Sequence, residues 1–350
     1  MQKLKEYYPS LDGLRSVAAF AIVAMHTYAN SAYDIDGWLV TNVITTFENF
    51  VLLFMMISSY SMCCGYYDKM QTGELSMALF YEKRFKKIWP FFAMLVIIDL
   101  ILQHDLKALV ESFANLTLCF SLLPNPAIEV IGVGWFLGVV FLFYMLFPFF
   151  CCLLKNKKRA WGTFIISIIY HVVCVEYFFD GEHVIGRCEY RNFLWCAMFF
   201  VVGGLIYMYR HTMIKCNKIL LLLIATISSL VYFSVDNIQE GYYNNFWLLF
   251  TFSLWLIYAI ITNGKVLVNP ITKFLSGISM EIYLSHMLIF RVLEKLNLIY
   301  ILGKGWMAYV MTVLLVLCGA ILFSLLVNKF VFPLCKKMLK ELVVPKSYFE

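Results

Sequence analysis

The sequence predicts an all-α, polytopic membrane bundle of about ten transmembrane helices, with one short re-entrant or interfacial segment. Three observations carry this expectation. Of 350 residues, 62% are apolar and 14% charged, with a mean hydropathy of +0.79; a soluble domain of this size carries about a quarter charged residues. The apolar residues come in runs close to the ~20 that cross a hydrocarbon layer. The basic residues sit in short clusters between those runs, so the net charge of +6 reads as loop charge and not as a nucleic-acid groove.

The spans fall near 13–31, 39–64, 86–103, 133–154, 160–178, 192–209, 218–235, 245–263, 271–295 and 307–334, in one domain over 1–350. The first run has no small-residue cleavage site, so it is expected to remain as a span, with no soluble domain at either end. Gly73 to Lys87 mixes Leu75, Met77, Leu79, Phe80 and Phe85 with Lys83, Arg84, Lys86 and Lys87 and predicts an inner interfacial helix leading into span 3. Residues 112–123 are apolar but too short to cross, and Pro124 and Pro126 follow. Pro90, Pro148, Pro270 and Pro333 are placed near span ends, where a missing backbone donor costs least. Asn115-Leu116-Thr117 has glycosylation spacing and is read as chance.

Ten spans put both termini on one side. With the termini inside, twenty lysines and arginines lie inside and six outside, while Arg15 and Lys329 fall within spans. The inner groups include Lys3 and Lys5, Lys155 to Arg159, Lys265 and Lys273, and Lys336 to Lys346. Arg187 is among the outer ones. The eleven cysteines, Cys63-Cys64 and Cys151-Cys152 among them, show no C-x-x-C pair and read as small apolar packers. His183 and Cys188 share an outer loop, but two candidates do not make a metal site, and no metal is expected.

Three clusters could carry chemistry. Arg15 and His26 are eleven residues apart, three helical turns to within about 20°, so both lie on one face, separated by about 16 Å along the axis. Arg15 sits near the inner end and His26 in the outer part of span 1. A buried charge needs pairing or water, so this face should line a cavity, with the cation for an anionic ligand and the imidazole as a base. Snorkelling of Arg15 and a structural hydrogen bond for His26 are the alternatives. Span 9 holds Glu281, Tyr283, Ser285, His286 and Arg291, which fit either catalysis or helix–helix contacts. Arg84, Lys87 and Pro90 open span 3, as a phosphate clamp or as ordinary positive-inside charge.

The stretch "YPSLDGLRSVAAFAIVAMH" resembles the opening of the acyltransferase-3 family of integral-membrane acyltransferases, with Asp12, Gly13, Arg15 and His26 matching its Leu-Asp-Gly-Leu-Arg start and Arg-x10-His signature. "FMMISSYSM" (Ser59 replacing a glycine), "KRFKKIWP", "GWFLGVVFLFYMLFP" and "GISMEIYLSHMLI" resemble later motifs in the same order, covering roughly residues 8–335. The resemblance implies transfer of an acyl group, usually acetyl from cytoplasmic acetyl-coenzyme A, to a hydroxyl of an envelope or surface glycan. It also implies a multi-pass protein of a bacterial inner membrane with cytoplasmic termini. It assigns His26 as catalytic base and Arg15 to activity or donor binding, and matches His286 to a recurrent position. On this reading Arg84, Lys87 and Arg15 meet the donor's phosphates. Tyr283, Ser285 and Trp135 contact substrate, and Glu281 orients an imidazole. Acyl-coenzyme A is then a substrate, and no resident cofactor is expected. Two departures stand out. Trp135-Phe136-Leu137-Gly138-Val139-Val140 replaces the Trp-Ser-Leu-Ser-x-Glu of many polysaccharide O-acetyltransferases. This points to a different branch and leaves the usual acceptor unsupported. Lys87 replaces an arginine, keeping charge but not the bidentate fork. The rival expectations are a glycan exporter or flippase of the same fold and a non-catalytic membrane scaffold.

Overall fold

The structure is a computed structural model that describes residues 8–123, 128, 130–178, 191–239, 241–262, 264 and 267–333. Pro124, Pro126, His183, Arg187, Cys188 and Lys265, together with Lys3, Lys5 and the basic residues Lys336 to Lys346, lie outside the described residues.

The described residues are helical, with no strand among them. Helix α1 (Ser10–Ala29) is followed by a helical run, Leu39–Gln71, whose regular parts are α2 (Phe50–Met62) and α3 (Asp68–Gln71). Next come α4 (Met77–Gln103), α5 (Leu106–Thr117), α6 (Trp135–Leu153), α7 (Lys157–Val173) and α8 (Phe193–Met213). The chain continues with α9 (Lys218–Ser234), α10 (Gly241–Ile261), α11 (Pro270–Gly277), α12 (Ser279–Lys295) and α13 (Trp306–Leu326). Each expected span has its helix. Six stretches are long and apolar enough to cross a membrane by length and composition. The remaining four are α1, α4, α9 and the α11–α12 pair. Of these, α9 has only 17 residues and α11–α12 is interrupted, while α1 and α4 carry charges that line a cavity described below.

Three expectations change. Span 9 is not one helix: it breaks at Ile278, whose backbone (φ −120°, ψ 16°) leaves the helical region between α11 and α12. Pro90 is not near a helix end. Ser76 caps α4 by accepting from the Leu79 N–H, and the helix runs unbroken from the expected interfacial segment into span 3, so Pro90 lies in its interior. The short segment starts earlier than expected, at Leu106, with Asp105 as its N-cap. At 12 residues it cannot cross, and it exposes Leu106, Leu109, Val110 and Phe113 while burying Ala108, Ser112 and Asn115. Asn115 spends its amide on the Val130 carbonyl (2.8 Å), which accounts for it structurally.

The molecule is apolar outside as well as inside. Helix α9 exposes Ile219, Leu223, Ile227 and Leu230 and buries Ala225 and Ser228; α13 exposes Met307, Leu322 and Leu326 and buries Ala320 and Ser324. Small and hydroxylated residues at the seams with large aliphatics outward is the arrangement a lipid solvent demands. At the α2–α8 seam a Cβ on Gly203 would run into the carbonyl oxygen of Met56, so only glycine lets the two backbones approach this closely. Helix α1 sits at the centre, against α2, α10, α11, α12 and α13.

Candidate active site

The first turn of α1 is fixed by its own polar residues. Ser10 donates to the Thr262 carbonyl and Ser16 to that of Thr272 (2.9 Å). Gly13 lies so close to Leu267 that a Cβ there would sit 2.6 Å from its carbonyl oxygen. Asp12, 8% exposed, accepts from Ser276 Oγ at 2.7 Å and from the Arg15 guanidinium at 3.2 Å. Arg15 also donates to Ser61 Oγ at 2.5 Å. The guanidinium is therefore held on the helix face it shares with His26, pointing inward.

It points into a cavity of about 690 Å³. Six cations border it: Arg15, Lys69, Lys83, Arg84, Lys87 and Lys273, against two acids, Asp12 and Glu281. All six cations lie toward one end of the bundle, since α1, α4 and α11 start there and the α2–α3 run ends there. Arg84 donates to the Tyr66 hydroxyl (2.5 Å), and its guanidinium carbon lies 4.8 Å and 5.9 Å from the Tyr66 and Tyr144 ring centroids. Its Nε is buried with no hydrogen-bond partner among the described residues. Such an orphan donor costs about 1–3 kcal/mol, and it sits beside the cavity. Farther in, the wall turns apolar and aromatic: Phe54, Ile88, Phe136, Leu137, Val140 and Leu284.

From that inner end a chain of rings leads to the imidazoles. Phe54 and Phe136 are 6.0 Å apart between centroids, Phe136 and Tyr283 5.2 Å, Tyr283 and His286 5.9 Å, and His286 and His26 5.1 Å. His286 is 1% exposed. Its Nδ1 lies 2.6 Å from the Tyr283 carbonyl oxygen. A carbonyl only accepts, so Nδ1 carries the hydrogen; Nε2 has no hydrogen-bond partner among the described residues and in the neutral ring is an acceptor. Tyr283 donates its hydroxyl to the Val133 carbonyl (2.7 Å).

The predicted residues thus divide. Arg15, Arg84, Lys87, Glu281 and Tyr283 share the cavity wall, and His26 and His286 pair beyond it. Ser285 turns its hydroxyl onto the Glu281 carbonyl (2.7 Å) and is not on the wall. Trp135 stacks edge-on against Phe136, which takes the wall position. The imidazole of His286 is oriented by Tyr283. Asp12, Ser61, Lys69, Lys273 and the two tyrosines around Arg84 join the site only through the packing of the helices. A signal for part of this existed: Ser58, Ser61, Met62, Gly65, Tyr66 and Lys69 recur at helical spacing along one face of an otherwise apolar run.

The comparisons with known proteins add three findings. A family model described as an acyltransferase domain matches residues 8–328. Proteins provisionally named as O-acetyltransferases in Staphylococcus aureus strains COL, MSSA476 and N315 are each 23% identical over 345 residues, covering 86% of this chain and 53% of their own length. The chain therefore spans about half the length of the curated relatives it matches. No solved structure matches it significantly.

Proposed function

The chain belongs to the acyltransferase-3 family, and on that premise we propose that it is a multi-pass membrane O-acyltransferase. It takes an acyl group, acetyl in the first instance, from acyl-coenzyme A and passes it to a hydroxyl of an envelope or surface glycan. One observation carries the reading: a cavity bordered by six cations, whose inner end is linked through Phe136, Tyr283 and His286 to the His26 ring.

The donor's phosphates lie among Arg15, Lys69, Lys83, Arg84, Lys87 and Lys273, with the Arg84 Nε–H as a waiting donor. Its thioester arm extends along the apolar wall of α6. The acceptor hydroxyl approaches His26 from the opposite end of the bundle. His26 removes the hydroxyl proton while the oxygen attacks the thioester carbonyl carbon. The carbon–sulfur bond breaks, the thiolate leaves and takes up a proton, and the products are the ester and free coenzyme A. His286 Nε2 is an unused acceptor in this structure; on closer approach of the two rings during the reaction it takes the N–H of His26 and fixes its tautomer, leaving the other nitrogen to act as base. The twenty-to-six charge asymmetry supports a cytoplasmic mouth for the cavity and cytoplasmic termini in a bacterial inner membrane.

The test is transfer of labelled acetyl from acetyl-coenzyme A to an envelope glycan fraction by the reconstituted protein. His26→Ala is expected to abolish transfer while leaving coenzyme A binding intact. Full transfer by that variant would overturn the mechanism, and absence of any coenzyme A binding by wild type would overturn the donor assignment.

A further inference from the structure

Residues Phe136, Val140 and Tyr144 recur every four positions on α6 and line the cavity as one stripe. The helix runs toward the cation-bordered end, so Tyr144 lies beside Arg84 and Phe136 lies deepest. Three rings, Phe54, Phe136 and Tyr283, meet at the deep end, with centroids 6.0 Å and 5.2 Å apart along that order. Two of the three are held firmly. Tyr283 is pinned by its hydroxyl to Val133, and Phe54 is buried in the core between α2 and its neighbours. Phe136 is half-buried and apolar, and its ring faces the cavity without a polar tether. The chain departs from the Trp-Ser-Leu-Ser-x-Glu pattern at 136, 138 and 140, and two of these three positions, 136 and 140, face the same cavity as the cations.

We propose that Phe136 is a specificity-determining residue: its ring is the side wall against which the methyl end of the acyl group rests while the thioester carbonyl is presented toward Tyr283 and the imidazoles, so the cavity admits short acyl groups and excludes longer ones. This rests on the reading of the cavity as an acyl-coenzyme A site. The stripe divides the work. Cations at the mouth hold the phosphates, the apolar middle receives the uncharged arm, and the space left before Phe136 sets the acyl length. Removing the ring lengthens the apolar end and leaves the phosphate region untouched. Longer acyl chains then gain by burying their methylenes, by about fourfold in affinity for each one taken in.

The experiment titrates the purified full chain with coenzyme A and with its acetyl, butyryl and hexanoyl thioesters, comparing wild type with Phe136→Ala. Wild type is expected to bind the acetyl thioester at least as well as the butyryl one. Phe136→Ala is expected to bind coenzyme A as before and to raise the butyryl-to-acetyl affinity ratio by about fifteenfold, the gain of two methylenes. An unmoved ratio with coenzyme A binding intact, or a wild type that already prefers butyryl, overturns the role of Phe136 and leaves the donor reading standing. A wild type that binds none of the four overturns the donor reading, and this inference with it. Where Phe136→Ala loses coenzyme A binding through misfolding, Phe136→Leu, which keeps an apolar side chain but removes the ring, carries the same comparison, and an unmoved ratio there is equally fatal.

Discussion

The guanidinium of Arg84 is anchored on one side by the Tyr66 hydroxyl and flanked by two tyrosine rings, yet its Nε–H is left unanswered. Hydrogen bonds to charged groups contribute about 1.5–3 kcal/mol each, so Arg84→Ala is expected to weaken coenzyme A binding about ten- to a hundredfold, as read by calorimetric titration. Arg84→Lys keeps the charge but loses the planar fork and the ring stacking, and is expected to recover only part of that affinity. At this scale the sequence was legible wherever one helix held both partners. Arg15 and His26 share a face by spacing alone. The pairing of His26 with His286 was not legible, because it joins residues 260 positions apart through the packing of α1 on α12. Lys69 and Lys273 were hidden for a related reason: each looks like ordinary loop charge until the packing of the helices brings both to the cavity wall.

Among the elements, the seams between helices show where backbone approach decides stability. Gly203→Ala pushes a methyl group into the Met56 carbonyl, and the α2–α8 seam must open to admit it. Overpacking of this kind costs about 1–3 kcal/mol, so a drop of several degrees in melting temperature is expected in a detergent thermal-shift measurement. Gly162→Ala is the matched control. It lies inside α7 with nothing near its would-be Cβ, and gains up to about 1 kcal/mol of helix propensity, so its melting temperature should hold or rise. Long apolar runs made the helices themselves readable. The break at Ile278 was not readable, because span 9 is apolar enough on either side to look continuous. The interruption is nonetheless what sets α11 against the first turn of α1 and starts α12 beside the cavity, so the missed feature is one that positions Ser276 on Asp12 and Glu281 on the wall.

On the scale of the whole molecule, two separated regions of opposite character share one central helix. The cation-bordered cavity lies toward the start of α1 and the imidazole pair toward its end. A cavity with six cations and two acids attracts polyanions through a field that salt screens over about 8–10 Å. Coenzyme A affinity should therefore fall severalfold between about 50 and 500 mM salt, while the butyryl-to-acetyl ratio stays put, because the apolar end carries no charge. The orientation of this polarity in the membrane is open to direct test. Cys216 is exposed in the α8–α9 connection beside Lys215, at the cation-rich end. Lys304, in the α12–α13 connection, is exposed at the other end and can be changed to cysteine. A membrane-impermeant maleimide, read by peptide mass spectrometry, is expected to label Cys216 only in inside-out vesicles. The introduced cysteine in Lys304→Cys should be labelled only in right-side-out ones. The reverse pattern would put the cavity mouth outside the cell, away from any cytoplasmic acyl donor, and would leave the basic clusters without the topological role that the charge asymmetry gives them.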